Sequence, residues 1–363
     1  MKPQISFMER AIELAETGMF TVTTIPMVGC VITQGKNVLS EGYHAKAGLD
    51  HAEIIALKNL TKKVNSNMVM YINLEPCCHQ GKTGPCAKAI IDSGIKNVVI
   101  SILDPNPIVK GKGVKALRSS GINVNVGLCK SEASHINKGF ISRITKKIPN
   151  VLMKQAISID YKITNAKNKW ISNKESRKDV QFIRAKSGAI LVGAQTTIKD
   201  NPKLTVRLNK KELGIFEKKR NPIRIVLDTN LELDIDKYDF FNGTEKKIVF
   251  NSISTNFETK KNIDFIKVKK NKSGLNLNLI LSILAKKYEI NNLMIEPGEK
   301  LSTSLLSNNL LDDLVLYLCP QIIGKFGIPA SSAINNLNSN SIKIESIKKF
   351  SNDVRINYKF LSK

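Results

Sequence analysis

Three short stretches hold the residues best suited to chemistry: His51-Ala52-Glu53, Pro76-Cys77-Cys78 and Pro85-Cys86. One histidine with two cysteines is a zinc donor set. Three protein ligands leave a fourth position open, whereas a structural zinc is closed by four. An open position holds water, and zinc lowers that water's pKa toward neutrality. Glu53, two residues after His51 on an expected helix, points away from it, so it is expected to shuttle a proton and not to ligate. Asp50 is the expected N-cap of that helix, and Cys86 is expected to open the next one. The partial positive charge of a helix N-terminus favours the thiolate that zinc requires. Cys78 is the alternative second thiol but, adjacent to Cys77, is expected to point elsewhere. Singly, His51 reads as a surface histidine and Glu53 as an ordinary first-turn acid. What makes the pattern specific is their combination with Cys77, 26 residues after His51, and Cys86.

Nucleobase deaminases use this arrangement, with a glutamate as general acid and base. Their usual thiol spacing is Pro-Cys-x-x-Cys. Here Cys77 and Cys86 enclose eight residues, CHQGKTGP. The longer loop is expected to add substrate contacts through His79, Lys82 and Thr83, with Lys82 suited to a phosphate or a carbonyl oxygen. The plain alternative is a solvated loop.

The elements that must position these residues follow from periodicity. A helix over roughly 4–18, a hairpin (VGCVIT, NVLSEGYH), a helix from His51 and a strand MVMYINL come first. A helix from Cys86 stopped by Gly94, a strand NVVISIL, a helix GVKALRSSG and a strand INVNVGL complete a three-layer α/β domain. TKKIPN, near residue 146, reads as a linker. The α/β pattern then restarts with strands VLMKQAISI, GAILVGA, IRIVLD, KKIVFN and NNLMIE, and helices at NKESRKDVQFIRAKS, LNLILSILAKKY and KLSTSLLSNN. A strand-rich tail follows. Two domains are expected, 1–145 and 146–363.

Composition bounds the function. Of the 363 residues 42% are hydrophobic and 24% charged, ordinary for a globular protein. No apolar run approaches the roughly 18 residues that span a membrane, and the N-terminus lacks the pattern of a signal peptide. A cytoplasmic protein is expected, in which Cys30, Cys129 and Cys319 are buried small hydrophobes in strand-like stretches. The net charge of +25 could mark nucleic-acid binding, but the lysines are dispersed and aromatics make up only 6%. The charge is read as compositional, and it should attract phosphorylated substrates.

GYHAKAGLDHAE, LEPCCHQGKTGPC and DPNPIVKGKGVKALRSSGI resemble the N-terminal half of the bifunctional riboflavin-biosynthesis deaminase–reductases. KWIS, DVQFIRAKSGAILVGAQTTIKDNPKLTVR, PIRIVLD and DDLVLYLCPQIIG resemble their reductase half. The resemblance runs over essentially the whole chain. It implies a cytidine-deaminase-like α/β domain followed by a dihydrofolate-reductase-like one. It also implies one zinc ion, NADPH, a phosphorylated pyrimidine substrate, no nucleic-acid partner and a homo-oligomer. The implied reactions are hydrolytic deamination of a ribosylamino-diaminopyrimidinone 5'-phosphate, then reduction of its ribosyl chain to ribityl. His51, Cys77 and Cys86 match the zinc ligands and Glu53 the proton donor. His44, His79, Lys82 and Thr83 match positions around the deaminase substrate. In the reductase, Asn168, Arg184, Leu204, Arg207 and Glu296 match substrate positions. Ala156, Trp170, Thr196, Asp200, Thr229 and the turn from Gly298 match the NADPH side.

The residues add their own argument for the second half. No GxGxxG follows a strand, so a Rossmann domain is not indicated. Gly193 and Gly298 instead end strands before helices, where a backbone can approach a phosphate. Arg184 and Arg207 suit a substrate phosphate. Several positions depart from the family pattern. Ile25 stands where an asparagine is expected to hydrogen-bond substrate, Tyr161 where a glycine is expected, and Ala166 and Asn168 where the family has Gly-x-Ser; Pro297 makes the usual Glu-Gly-Gly turn Glu-Pro-Gly. These changes also fit a deaminase whose reductase half has degenerated. A nucleic-acid-editing deaminase and a non-catalytic zinc scaffold are the competing functions.

Overall fold

The computed structural model describes residues 3–78, 84–164, 170–216, 219–253, 262–271, 274–332 and 341–361. The chain divides into two compact units, residues 1–147 with 214–219, and 148–213 with 220–363.

The first unit runs α1 (Ile5–Thr17), β1 (Gly29–Gln34), β2 (Asn37–Tyr43), α2 (Ala52–Lys58), β3 (Met68–Leu74), α3 (Cys86–Ser93), β4 (Asn97–Ile102), α4 (Lys112–Ser119), β5 (Asn123–Val126), α5 (Lys130–Ile136) and α6 (Lys138–Lys146). Its sheet has the order β2-β1-β3-β4-β5. β1 is antiparallel to β2 and β3; β3, β4 and β5 are parallel. Alternate side chains of each strand serve opposite faces. Cys30, Ile32, Met70, Ile72 and Ile100 meet α2, α3 and α4. Val31, Val69, Tyr71 and Val99 meet α1 and α5. The result is helix, sheet and helix in three layers.

Close packing of α1 on β1 requires a glycine. A Cβ on Gly29 would lie 2.0 Å from the Ala11 carbonyl oxygen and 2.7 Å from the Ala15 nitrogen. Gly42 plays the same part for α2, whose Ala52 carbonyl oxygen would lie 2.4 Å from an added Cβ. Since α2 carries His51 at its start, this contact fixes the height of the metal-binding end.

The second unit runs β6 (Asn150–Ser158), β7 (Lys162–Thr164), α7 (Lys174–Lys186), β8 (Ala189–Gly193), α8 (Ala194–Asp200), α9 (Lys210–Leu213), β9 (Ile223–Leu227), β10 (Lys247–Asn251), β11 (Ile263–Lys267), β12 (Lys270–Asn271) and β13 (Gly274–Leu275). α10 (Leu277–Lys287), β14 (Asn292–Ile295), α11 (Glu299–Ser307), β15 (Asp313–Cys319), β16 (Ile328–Pro329), β17 (Ile342–Phe350) and β18 (Asp353–Phe360) follow. Nine strands form one sheet in the order β11-β10-β9-β8-β14-β6-β15-β18-β17. It is parallel from β11 to β15 and antiparallel over the last two pairings. α10 and α11 cover one face with Val151, Leu191, Ile225 and Leu293. Val180 of α7 packs on the other with Ile190, Val192 and Met294.

Three local expectations are corrected. His51, not Asp50, is the N-cap of α2, with extended backbone (φ −73°, ψ 161°). The Asp50 carboxylate instead pairs with Lys58 Nζ at 2.6 Å. Cys129 is not a buried strand residue: it is half-buried, left-handed (φ 53°) and caps α5. The expected linker near 146 overlaps α6, which runs to Lys146, so only residues 147–149 separate it from β6. Cys30 and Cys319 are buried as expected.

Tyr161 has φ 60°, in the left-handed region that costs an L-residue roughly 1–2 kcal/mol. The turn is held regardless, because the Asp160 carboxylate accepts the N–H groups of Ile323 (3.0 Å) and Gly324 (2.7 Å). Gly29→Ala should cost about 3 kcal/mol, since backbone and not a flexible side chain opposes it. Tyr161→Gly should be neutral or stabilising by up to about 1 kcal/mol, strain relief outweighing the greater chain entropy of glycine. Urea denaturation of both variants measures the two differences.

Candidate active site

Two helix starts and one strand end converge in the first unit. α2 begins after His51, α3 begins at Cys86, and Cys77 follows β3 through Glu75-Pro76. His51 Nδ1 lies 3.1 Å from Cys86 Sγ and 3.7 Å from Cys77 Sγ. The three donor atoms all fall within 4.8 Å of one another. The Cys86 N–H points at Cys77 Sγ (3.4 Å), and the Ala87 N–H donates to the Cys77 carbonyl (3.0 Å). The hydrogen bond from the Cys86 thiol, with those from His51 and the Cys86 amide, holds the Cys77 thiol down at about 4. The same contact with Cys77, and burial, push Cys86 up. The hydrogen bond with Cys77 raises His51. One imidazole and two sulfurs, one of them ready to ionise, are the chemistry of a zinc site. Cys78 packs instead against the apolar cluster between sheet and helices.

Glu53 sits one turn into this arrangement and is buried. Its Oε2 has no hydrogen-bond partner among the described residues, and burial raises its pKa. A buried carboxylate oxygen left unsatisfied is costly, so a donor on a ligand or a water would be stabilised against it. His44 stands edge-on to His51, ring centroids 5.1 Å apart. Its Nδ1–H donates to the Asp50 carbonyl (2.9 Å). Burial lowers its pKa, so the ring is neutral and Nε2 is an acceptor.

Glu75 belongs to the site although the motif around it gives it no role. The carboxylate is buried and accepts three backbone N–H groups: Asp104 (3.1 Å), Gly111 (2.9 Å) and Val114 (3.0 Å). It ties the DPNP segment to the turn that delivers Cys77. Gly113 allows the approach, since a Cβ there would lie 2.2 Å from the Pro76 carbonyl oxygen. Its only sequence signal is an acid at the end of an otherwise apolar strand. Ile25 is partly buried in a segment fixed from both ends. Arg143 donates to the Thr24 carbonyl (2.7 Å), and Asn73 and Asn137 both donate to the Met27 carbonyl. His79, Lys82, Thr83, Ala166 and Asn168 lie outside the described residues.

In the second unit the expected residues gather at the carboxyl ends of neighbouring parallel strands, where open α/β sheets bind ligands. Glu296 follows β14, Gly193 ends β8 and Thr229 follows β9. Arg184 Nη2 pairs with Glu296 Oε1 at 2.8 Å, and Nη1 donates to the Thr205 carbonyl (3.0 Å). Arg184, expected among the substrate residues, is therefore buried and already paired with Glu296 at the site. Arg207 stands near the pair: burial and the Arg184 charge lower its pKa. Lys154 of β6, which the sequence motifs do not mark, completes the cluster. Burial lowers its pKa, and Glu296 opposes that shift. Burial would raise the pKa of Glu296, but Arg184, Lys154 and Arg207 outweigh it and hold the group ionised. Leu204, expected at the substrate, can meet a ligand in one way only. Its side chain is in the apolar core and its backbone is left-handed (φ 51°), so only its main chain is available to a ligand.

Gly193 and Gly298 are the N-caps of α8 and α11. A Cβ on Gly193 would meet nothing, and one on Gly298 would have only Thr196 Oγ1 near it, at 3.6 Å. This open cradle at the start of α11 fits a dinucleotide phosphate. Trp170 is 54% exposed with the Arg177 guanidinium 5.0 Å from its ring centre. Ala156 lies on β6 beside the second-face core, Asp200 closes α8, and the Thr229 carbonyl accepts from Ser252.

Comparison with known proteins places both halves. Residues 1–102 match the cytidine and deoxycytidylate deaminase zinc-binding region, and residues 149–356 match the RibD C-terminal domain. The riboflavin biosynthesis protein RibD of Buchnera aphidicola is 37% identical over 97% of both chains, and that of Escherichia coli 35% over 88% of both. The crystallised RibD of Acinetobacter baumannii superposes with a TM-score of 0.88 at 31% identity, covering 99% of both chains. The deaminase/reductase of Thermotoga maritima does so at 0.85 and 32%, covering 98% of both. With its zinc-binding deaminase half and its NADPH-type reductase half both matched, the chain belongs to the RibD family of riboflavin-biosynthesis proteins.

Proposed function

We propose that the chain catalyses two consecutive steps on one phosphorylated pyrimidine. The portion over 1–145 deaminates it hydrolytically, and the portion over 146–363 reduces its ribosyl chain with NADPH. The observation that carries the reading is the triad of His51 Nδ1, Cys77 Sγ and Cys86 Sγ, beside Glu53 Oε2, which has no partner among the described residues, in a chain that also has the reductase half. The same reading puts the enzyme in the cytoplasm, acting on a small molecule and not on nucleic acid.

Zinc held by His51, Cys77 and Cys86 supplies the Lewis acidity that makes water nucleophilic near neutral pH. Glu53 Oε2 takes the proton that the attacking water gives up and returns it to the departing nitrogen. The bond from the ring carbon to its exocyclic amino nitrogen breaks, ammonia leaves and the water oxygen becomes the new carbonyl of the intact ring. Burial suits Glu53 to holding that proton during the exchange. Neutral His44 offers Nε2 to a donor on the substrate. In the second half NADPH supplies the hydride. The chain binds and orients: the start of α11 faces cofactor phosphate, and Arg207 takes the substrate phosphate, since Arg184 is engaged by Glu296 and Thr205. A phosphate there would also relieve the crowding of Arg207 by Arg184.

Separated half-reactions test the proposal. Glu53→Gln should keep one zinc per chain by metal analysis yet lose roughly 10²–10⁴ in ammonia release. NADPH oxidation on already deaminated substrate should be unaffected by that change. Cys77→Ser should lose the zinc itself. Arg207→Ala should raise the KM for deaminated substrate about 10- to 100-fold, the worth of a charge-assisted hydrogen bond, with kcat changed less. Ammonia release by Glu53→Gln at the wild-type rate would remove the assigned acid/base, and an unchanged KM in Arg207→Ala would remove the phosphate assignment.

A further inference from the structure

Residues 201–209 run between α8 and α9 without belonging to any helix or strand. Their side chains nonetheless alternate as in a strand: Leu204, Val206 and Leu208 are buried, and Arg207 is exposed. An extended segment outside a sheet has no neighbouring strand to pair its N–H and C=O groups, and buried ones left unpaired are costly. Here side chains take the place of that strand. Arg224 of β9 donates to the Lys203 carbonyl (3.2 Å), and Arg184 of α7 to the Thr205 carbonyl (3.0 Å). The Asn221 side-chain oxygen accepts the Val206 N–H (2.7 Å), and the Gln181 side-chain oxygen accepts the Arg207 N–H (3.0 Å). Gln181 and Arg184 lie three apart on α7, so they share a face of the helix, and both are buried. Asn221 is aimed from behind. Its Nδ2 donates to Glu245 Oε1 (2.6 Å), and Arg224 pairs with the other oxygen of that carboxylate at 3.2 Å.

We propose that Gln181, supported by Asn221, positions Arg207 for the substrate phosphate. The inference rests on the assignment of Arg207 to that phosphate and adds what holds the guanidinium in place. An arginine side chain is long and loses much rotamer freedom when it binds, so its reach is defined only where its main chain is fixed. Arg207 and Arg184 are also like charges, and their repulsion drives Arg207 away from the site. The hydrogen bond from the Arg207 N–H to Gln181 opposes that motion. Gln181 and Arg184 reach out from one face of α7, so Arg207 can swing off only by breaking that bond and straining the one at the Thr205 carbonyl. Two guanidinium groups are thereby kept ready before an anion arrives, and the anion then relieves their repulsion. Preorganisation of this kind shows in affinity and not in the rate of hydride transfer. A neutral amide suits the task. A carboxylate there would accept the same N–H but would attract the Arg207 guanidinium and compete with the phosphate.

Steady-state kinetics of the zinc-loaded full chain on deaminated substrate with NADPH test this. Gln181→Met removes the acceptor and keeps the length of the side chain. It should raise the KM for deaminated substrate about 3- to 10-fold, the contribution of one neutral hydrogen bond, with kcat and the KM for NADPH unchanged. Because Gln181 acts through Arg207, the same substitution made in Arg207→Ala should change that KM less than about 2-fold. Asn221→Ala, at a half-buried position, should shift the KM in the same direction by less, and it decides the matter if circular dichroism shows Gln181→Met unfolded. A wild-type KM in either folded variant, while Arg207→Ala raises it, would overturn this inference alone. So would an increase that persists in full in Arg207→Ala, or a fall in kcat with no change in KM, since either marks a general loosening of the fold. An unchanged KM in Arg207→Ala itself would remove the phosphate assignment and this inference with it.

Discussion

A carboxylate removed from water costs several kcal/mol unless a donor or a cation faces it. This chain is organised around three of them. Glu75 meets the requirement with backbone, accepting three N–H groups and so fixing the turn that carries Cys77. Glu296 meets it with cations, chiefly Arg184. Glu53 meets it only in part: its own backbone N–H and the Cys86 thiol donate to the carboxylate, but Oε2 has no partner among the described residues. Two of the acids build the sites. The third keeps one oxygen open beside the metal donor set.

Both halves place their working groups by the same rule. Strands end and helices begin at one edge of a sheet, where first-turn N–H groups are unpaired and carry partial positive charge. In the first unit that edge holds His51 as the cap of α2 and Cys86 in the first turn of α3. In the second it holds Gly193 and Gly298 before α8 and α11. Thiolates and phosphates are both anions, so the same backbone device suits thiolates in one half and is open to a phosphate in the other.

The deaminase centre was legible in the sequence because its donors sit in short motifs at helix starts, where local pattern sets direction. The strands of both sheets were legible for the same kind of reason, since apolar alternation or full burial marks them. What escaped the sequence depends on tertiary partners. Lys154 looks like a solvent-facing lysine in a strand, and only β14 and α7 bring Glu296 and Arg184 to it. Glu75 declares its role only through N–H groups some 30–40 residues away. The ion pair of Arg184 with Glu296 spans 112 positions and leaves no local signal in the sequence. β17 was not singled out within the strand-rich tail: it is the edge strand of the sheet and most of its residues are exposed.

Of the family departures, Ile25, Tyr161 and Pro297 lie among the described residues, and none of them replaces one of these carboxylates. Tyr161 is accommodated in the left-handed conformation that its family glycine would adopt freely, and its ring is 61% exposed. Ile25 occupies a segment that Asn73, Asn137 and Arg143 help to hold in place. The metal donor set of one half and the Arg184–Glu296 pair of the other are both present, and the central claim is that one chain performs the two steps in order. The most direct measurement is the stoichiometry of ammonia released to NADPH oxidised when the purified, zinc-loaded protein is given the phosphorylated diaminopyrimidine. The account predicts one of each per substrate, with ammonia appearing first. Ammonia without NADPH oxidation, or neither product from a fully zinc-loaded sample, would contradict it.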